Sequence, residues 1–318
     1  MIGALLATGC GSSGGAGDDA QPETPWPMTG LPGYSQAAAS QAITVKIENT
    51  EAGRPQLGLG SADIVIQELV EGGLTRLAVI FHSDYPESAG PVRSVRETDI
   101  GLVLPTGGTL AGSGGAGSTL AQIEAAGVPL AVEGDVGFVR DPDRRPPYNV
   151  LLNVADLSDA LPPAPPQQPY FTFGEVPTDA RATPAAALQL QWPAASATFT
   201  YDSVASAWLR SDPPDAGGFN ATNVIALSMP VTFAATTDAA GTPVPIMQTT
   251  GSGSGTIATA GQVYEISWSK ASFSDPWQFT YQATDGTAQP FAVPAGRTWL
   301  ALLPQQGGSV TSTPPPSE

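Results

Sequence analysis

Residues Leu77-Ala-Val-Ile-Phe81 are apolar at every position. A strand without polar alternation is covered on both faces, so a chain that contains one must build a sheet with material on each side. The run sits in the second of two Ile-, Val- and Leu-rich stretches, Ala62 to Val70 and Leu74 to His82, which Glu71-Gly72-Gly73 separates. Glycines between two such stretches signal a hairpin, because turns that match strand twist need positive φ. A two-residue Gly72-Gly73 loop sets Glu71 opposite Leu74 and Leu69 opposite Arg76. In that register Glu71 and Arg76 are diagonal neighbours on one face, within ion-pair reach, while Glu68 points to the other.

Ile43 to Glu48 alternates and is a further strand. Ser94-Val-Arg-Glu97 matches a capping box that opens a helix running to about Leu104, before Pro105. A second helix is expected from Thr119 to Ala126, ended by Gly127 and Pro129, and a short strand from Val128 to Glu133. Residues 34–160 therefore read as an α+β domain with a mixed sheet and few helices. Leu161-Pro-Pro-Ala-Pro-Pro-Gln-Gln-Pro169 is a stiff linker and the expected boundary. Beyond it, 170–304 reads as a mostly β second domain. Its strands are expected at Thr198 to Tyr201, Ala207 to Arg210, Asn223 to Leu227, Val263 to Lys270, Trp277 to Gln282 and Thr298 to Leu303. Asp285-Gly286 is a tight-turn signal. Polar, Pro-ended 305–318 is expected to be a disordered tail.

With 36 Gly and 32 Pro among 318 residues, the chain is turn-rich rather than a long helical bundle. Its formal charge of −17 lacks the basic stripe that phosphate binding needs, which excludes nucleic acid as a partner. Lys46, Arg54, Arg76, Arg93, Arg96, Arg140, Arg144 and Arg145 all fall in the first half, so an anion site belongs there.

Cys10 is the single cysteine, which rules out a disulfide within the chain and a thiolate metal cluster. It closes the apolar run Met1 to Cys10, which resembles the end of a bacterial lipoprotein signal, with Ala7 where Leu is usual and no basic residue before the run. The first residue is therefore expected to lie within a longer signal, of which 1–10 is a remnant. Residues 11–33 follow as a Gly/Ser- and Pro-rich tether spanning roughly 25 Å r.m.s. for some twenty residues. The expected location is the outer face of the cytoplasmic membrane, lipid-anchored through Cys10.

Gly112-Ser-Gly114-Gly115-Ala-Gly117 is a formal dinucleotide fingerprint, with Glu133 about twenty residues on. Only a short strand precedes it in a glycine-rich chain, so a turn that lets the backbone bend, or grips a smaller anion, is the better reading. No cofactor is expected. His82 is the single histidine, which excludes multi-histidine zinc sites and favours a structural role; no metal is expected. Arg93 and Arg96 flank the start of the expected helix, where the macrodipole disfavours positive charge. Two guanidinium groups beside free N–H donors would suit a carboxylate or phosphate. Neutralisation by Glu97, Asp99 or another carboxylate is the structural alternative.

Several stretches together carry a resemblance. They are Ile47-Glu-Asn49, Arg54-Pro-Gln56, Ser61-Ala-Asp-Ile-Val65, Glu68-Leu-Val-Glu-Gly-Gly73 with Thr75-Arg76, and Gly90-Pro-Val-Arg-Ser-Val-Arg96. The second half adds Trp208-Leu-Arg210, Ala221-Thr-Asn-Val224, Gly253-Ser-Gly255, Trp268-Ser-Lys270 and Gly296-Arg-Thr-Trp299. From about Leu31 to Pro304 the chain resembles the YerB-like lipoproteins, a domain-of-unknown-function family. The resemblance implies a two-part α+β fold and an envelope location, with no established activity. Where the family typically reads Arg, then Pro-His-Asn, this chain has Arg145-Pro-Pro-Tyr148-Asn149. A tyrosine with an ordinary pKa near 10 is a poor base at neutral pH, which counts against histidine-dependent chemistry.

The leading reading is a non-catalytic envelope lipoprotein that binds a ligand or protein partner through its first domain. The expected site gathers Glu48, Asn49, Glu68, Glu71, Arg76, Arg93, Arg96 and Asp99, with Arg140 and Asn149 joining from the segment before the linker. An anionic wall fragment or an envelope protein's carboxylates would suit the arginines. The alternative is a cell-wall hydrolase acting through paired carboxylates in one cleft.

Overall fold

In the computed structural model, which describes residues 24–35, 40–163, 168–212, 218–238 and 241–316, the apolar run 77–81 lies in a strand buried along its whole length. Cys10 and residues 1–23 lie outside the described residues, as do 164–167 of the linker. The first half contributes β1 (Ile43–Glu48), β2 (Ile64–Leu69), β3 (Thr75–Phe81), α1 (Asp99–Val103), β4 (Thr109–Gly112), α2 (Gly117–Ala125) and β5 (Leu130–Val132). It ends with β6 (Phe138–Arg140), β7 (Val150–Leu152) and α3 (Val154–Ala160). The second half is strands among the described residues. It begins with β8 (Ala182–Pro184), β9 (Ala187–Trp192), β10 (Ala195–Asp202), β11 (Ala207–Asp212), β12 (Asn220–Ala221), β13 (Asn223–Met229) and β14 (Val231–Thr237). It continues with β15 (Pro243–Met247), β16 (Gly251–Thr259), β17 (Gln262–Lys270), β18 (Gln278–Gln282), β19 (Ala288–Pro290), β20 (Thr298–Pro304) and β21 (Ser309–Thr313). The class is α+β with a mixed sheet, few helices and a mostly β second half.

One large sheet runs through both halves in the order β19-β18-β17-β16-β13-β20-β2-β3-β1-β4-β5. The late strand β20 lies parallel to β2 on one side and to β13 on the other, so it joins the halves. The linker region is therefore not a break in the sheet. A second sheet, β12-β11-β10-β9-β21, packs on β20. Trp299 meets Phe199 and Phe219 edge-on, and Trp192 Nε1 donates to the Leu302 carbonyl at 2.8 Å. Burial on both faces explains why β20 reads Trp-Leu-Ala-Leu-Leu without polar alternation.

All six strands expected in the second half fall within or overlap observed strands. Strand β16 escapes notice because its sequence opens Gly-Ser-Gly-Ser-Gly. Those glycines allow close approach: a Cβ on Gly253 would stand 2.7 Å from Trp268 Nε1, and one on Gly255 2.7 Å from the Ala226 carbonyl.

Three expectations need correction. The hairpin turn holds three residues, not two. Glu71–Gly73 forms a 3-10 turn with Gly72 and Gly73 at φ +70 and +76°, closed by Val70 N–H donating to the Leu74 carbonyl. The register moves by one, placing Leu69 opposite Thr75 and Glu68 directly opposite Arg76 on the same face. The helix expected from Ser94 begins only at Asp99. Residues 92–95 are held extended by backbone bonds: Val92 N–H to Val150, Arg93 N–H to Lys46 and Val95 N–H to Gly114. Arg93 and Arg96 therefore do not flank a helix start. The tail expected to be disordered contains β21, paired antiparallel with β9 from Ser309↔Gln191 to Thr313↔Ala187. An edge strand is held by backbone bonds and needs little apolar content; here Val310 supplies the packing.

Leu300 of β20 is fully buried between Ile66 and Ile225 on its neighbours. Leu300→Ala should cost about 2–5 kcal/mol. Because β20 serves both halves, chemical denaturation should still show one transition, shifted as a whole. Two separated transitions would mean that the halves unfold independently.

Candidate functional site

Strand alternation puts Lys46 and Glu48 of β1 on one face of the sheet. Across β3, Glu48 pairs with Arg76 and Lys46 with Ala78; across β2, Glu68 pairs with Arg76 and Ile66 with Ala78. Arg76 thus stands between two glutamates, and its Nη1 also donates to the Ser94 carbonyl at 3.0 Å. The extended 92–95 segment and α1 cover this face. Asp99 Oδ1 accepts from Lys46 Nζ at 2.7 Å, while Glu68 Oε1 contacts the same Nζ more closely. Asp99 Oδ2 accepts the Arg96 backbone N–H at 2.7 Å.

Toward the edge, Arg96 makes a fork–fork pair with Glu71, Nε–Oε1 at 2.7 Å and Nη2–Oε2 at 2.9 Å. Arg93 Nε lies 2.9 Å from Glu48 Oε2, and its Nη1 donates to the Pro147 carbonyl at 3.1 Å. The cluster holds four basic groups (Lys46, Arg76, Arg93 and Arg96) and four carboxylates (Glu48, Glu68, Glu71 and Asp99). The charges balance when all eight are ionised.

Burial would raise the Glu48 carboxyl, but Arg76, the Thr50 and Asn49 N–H groups and Arg93 hold it below its ordinary value. Burial would likewise raise Glu71, but the Arg96 fork outweighs it and holds the carboxyl below its ordinary value. At Glu68 burial and the Asp99 charge prevail over Lys46, and the carboxyl is pushed up to about 7. Burial, aided by Arg96, brings Arg76 down to about 10.

The remaining expected residues divide between two places. Asn49 points to the opposite face, where Nδ2 donates to Thr75 Oγ1 at 2.7 Å and Oδ1 accepts from Arg210 of β11 and from Gln56, each at 3.2 Å. Arg140 pairs with Glu133 and donates to Asn149 Oδ1 at 3.2 Å, while the turn at 147–149 places Tyr148 under Arg93. Sequence reasoning missed Lys46 as a member, although its place two residues before Glu48 in an alternating strand puts both on one face. Nothing in the linear sequence points to Arg210, which arrives through the second sheet.

The glycine-rich run follows β4 and opens α2, with β5 parallel to β4. Its glycines serve the cover: Ser113 N–H donates to the Arg93 carbonyl, and a Cβ on Gly112 would stand 2.5 Å from Val95 Cγ1. His82 lies beyond the end of β3 against the rings of Trp26 and Tyr34. A groove of about 1100 Å³ lies instead along β13, β16, β17 and β18, where Arg181, Ser254, Thr256, Glu265, Ser267 and Thr280 line it.

Arg76→Met would leave Glu48 and Glu68 facing a neutral side chain inside the sheet. Removing one partner of a buried ion network costs about 3–5 kcal/mol. Equilibrium denaturation should show that loss; a change below about 1 kcal/mol would mean water reaches the cluster.

The family described as "Protein of unknown function (DUF3048)" matches through its N-terminal domain at residues 28–166 and its C-terminal domain at 188–300. The Bacillus subtilis (strain 168) protein named "Putative lipoprotein YerB" is 46% identical over 71 residues, a stretch covering 22% of each chain. The crystal structure of YerB protein from Bacillus subtilis superposes with a TM-score of 0.73 at 23% identity, over 91% of this chain and 99% of that one. That likeness is one of fold. With both of its domains matched in order, the chain belongs to the DUF3048, YerB-like family.

Proposed function

We propose that this chain is a non-catalytic envelope lipoprotein, tethered to the outer face of the cytoplasmic membrane through lipid on Cys10, whose body binds an anionic ligand through an arginine rim. The rim is the outward edge of the cluster, where Arg93 and Arg140 keep 22% and 55% of their side chains exposed on either side of the turn at 147–149. Arg145 is exposed in the same loop, and Val136 and Val139 are exposed just before and within β6, the strand that ends at Arg140. Planar guanidinium groups that reach solvent suit the carboxylates or phosphates of a wall fragment or an envelope protein.

The observation that carries this reading is the division between inside and outside. Glu48, Glu68, Glu71 and Asp99 are each held by a basic group of the chain, whereas the guanidinium groups at the rim reach water. Wall hydrolysis through paired carboxylates has less support, because Glu68 and Asp99 share Lys46 with no exposed surface and neither could activate a water. The relative's name and the apolar run ending at Cys10 support the anchor.

Two measurements test the reading. Binding of isolated wall fragments and of acidic envelope proteins should weaken about tenfold or more for Arg140→Glu with Arg145→Glu, with melting unchanged. Equal binding by that variant and the unaltered chain would remove the rim from the site. Cys10→Ser should move the protein from the membrane fraction to the soluble fraction, and retention in the membrane would refute the anchor.

A further inference from the structure

Lys46, Glu68 and Asp99 are the most deeply withdrawn charged side chains of the cluster, all three without exposed side-chain surface. Lys46 Nζ touches both carboxylates, at 2.7 Å from Asp99 Oδ1 and closer still to Glu68 Oε1. The second oxygen of Asp99 accepts the Arg96 N–H at 2.7 Å, whereas Glu68 Oε2 has no hydrogen-bond partner. Directly across the strands from Lys46 on this face stand Ala78 and Ile66, neither of which offers it a polar partner.

An ion triad needs only charge balance. This arrangement has more: an amine in contact with a carboxyl group, a backbone donor on that carboxyl's other oxygen, and a third group beside the amine that can give and take a proton. We propose that Lys46 Nζ and Asp99 Cγ condense to an isopeptide bond, with Glu68 as the proton shuttle, so that the mature protein carries a covalent cross-link from β1 to α1.

The step balances within the triad. Proton transfer from the Lys46 ammonium to the Asp99 carboxylate gives the neutral amine and neutral acid from which condensation proceeds. Nζ attacks Cγ, and the negative charge that develops on Oδ2 rests on the Arg96 N–H. Glu68 in its acid form gives its proton to the departing Oδ1 hydroxyl and takes one from Nζ. One C–N bond forms, one C–O bond breaks, one water leaves and Glu68 is again an acid. No oxidant or cofactor enters. Burial and the Asp99 charge push Glu68 up to about 7, so its acid form is available at neutral pH. Fixed contact replaces a bimolecular encounter with effective molarities on the order of 10⁵ M or more, and exclusion of water opposes the reverse reaction. The inference is independent of the proposed ligand rim.

The test is mass spectrometry on the full-length folded chain, denatured only for measurement. The chain is expected to weigh one water less than Lys46→Arg prepared in the same way, after allowing for the substitution, so that processing at the amino terminus cancels. Tryptic digestion should leave the bond after Lys46 uncut and yield a branched peptide joined to the one that begins at Glu97. Asp99→Asn should lose ammonia instead and give the same product mass as the unaltered chain. Glu68→Ala should retain the full mass; if it does not fold, the branched peptide from the unaltered chain decides the matter alone. A folded, unaltered chain that keeps its full mass after prolonged incubation and is cut after Lys46 would overturn the proposal, leaving an ionic triad only. Water loss that persists in Glu68→Ala would overturn the shuttle role.

Discussion

A lysine withdrawn completely from water must meet its opposite charge where it stands, and much of the first half is arranged around that requirement. Lys46 lies in the middle of β1, directly across the strands from Ala78 and Ile66. Glu68 reaches it from the same sheet and Asp99 from α1 above. The late start of α1 follows from this. With residues 92–95 extended along the sheet, the first helical residue is the aspartate that meets Lys46. Arg76, Glu48, Arg93, Arg96 and Glu71 extend the pattern outward, each charge answering the one before it.

The second constraint is the position of β20. A strand from near the end of the chain runs parallel to one from near its beginning, and backbone pairing of that kind closes a very long loop. The Trp299 ring that this strand carries also lies under the Arg210 guanidinium, which holds Asn49 from the second half. Both faces of the first-half hairpin are therefore polar toward its end, one closed by α1 and its lead-in and the other by the second sheet.

These features separate two kinds of chemistry. Inside, charges are matched and sealed, which favours rigidity and, in the Lys46 triad, brings together groups able to react with each other. At the rim, Arg93 and Arg140 satisfy part of their donor capacity on Glu48, Glu133, Asn149 and the Pro147 carbonyl and present the remainder to solvent. A guanidinium already oriented by such contacts loses little freedom on meeting an anion.

Much of the secondary structure was legible in the sequence. Apolar continuity marked β3, alternation marked β1, and a glycine turn joined β2 to β3, because these depend on which faces of a strand meet water. Membership of the candidate cluster was also largely legible, since charges at strand ends and beside a turn are conspicuous. The register was not. A third residue in the turn at Glu71–Gly73 moved Glu68 to the face of Arg76, and that depends on loop closure. Nor could local pattern show that residues 92–95 would be held extended by backbone bonds to β1, β7 and Gly114, or that polar residues 309–313 would find an edge to pair with. Sequence alone determined the most apolar strands and which charges were available; tertiary structure decided the remaining strands and the partners of the charges, because a polar edge strand or a buried charge is paired by whatever the fold brings within reach.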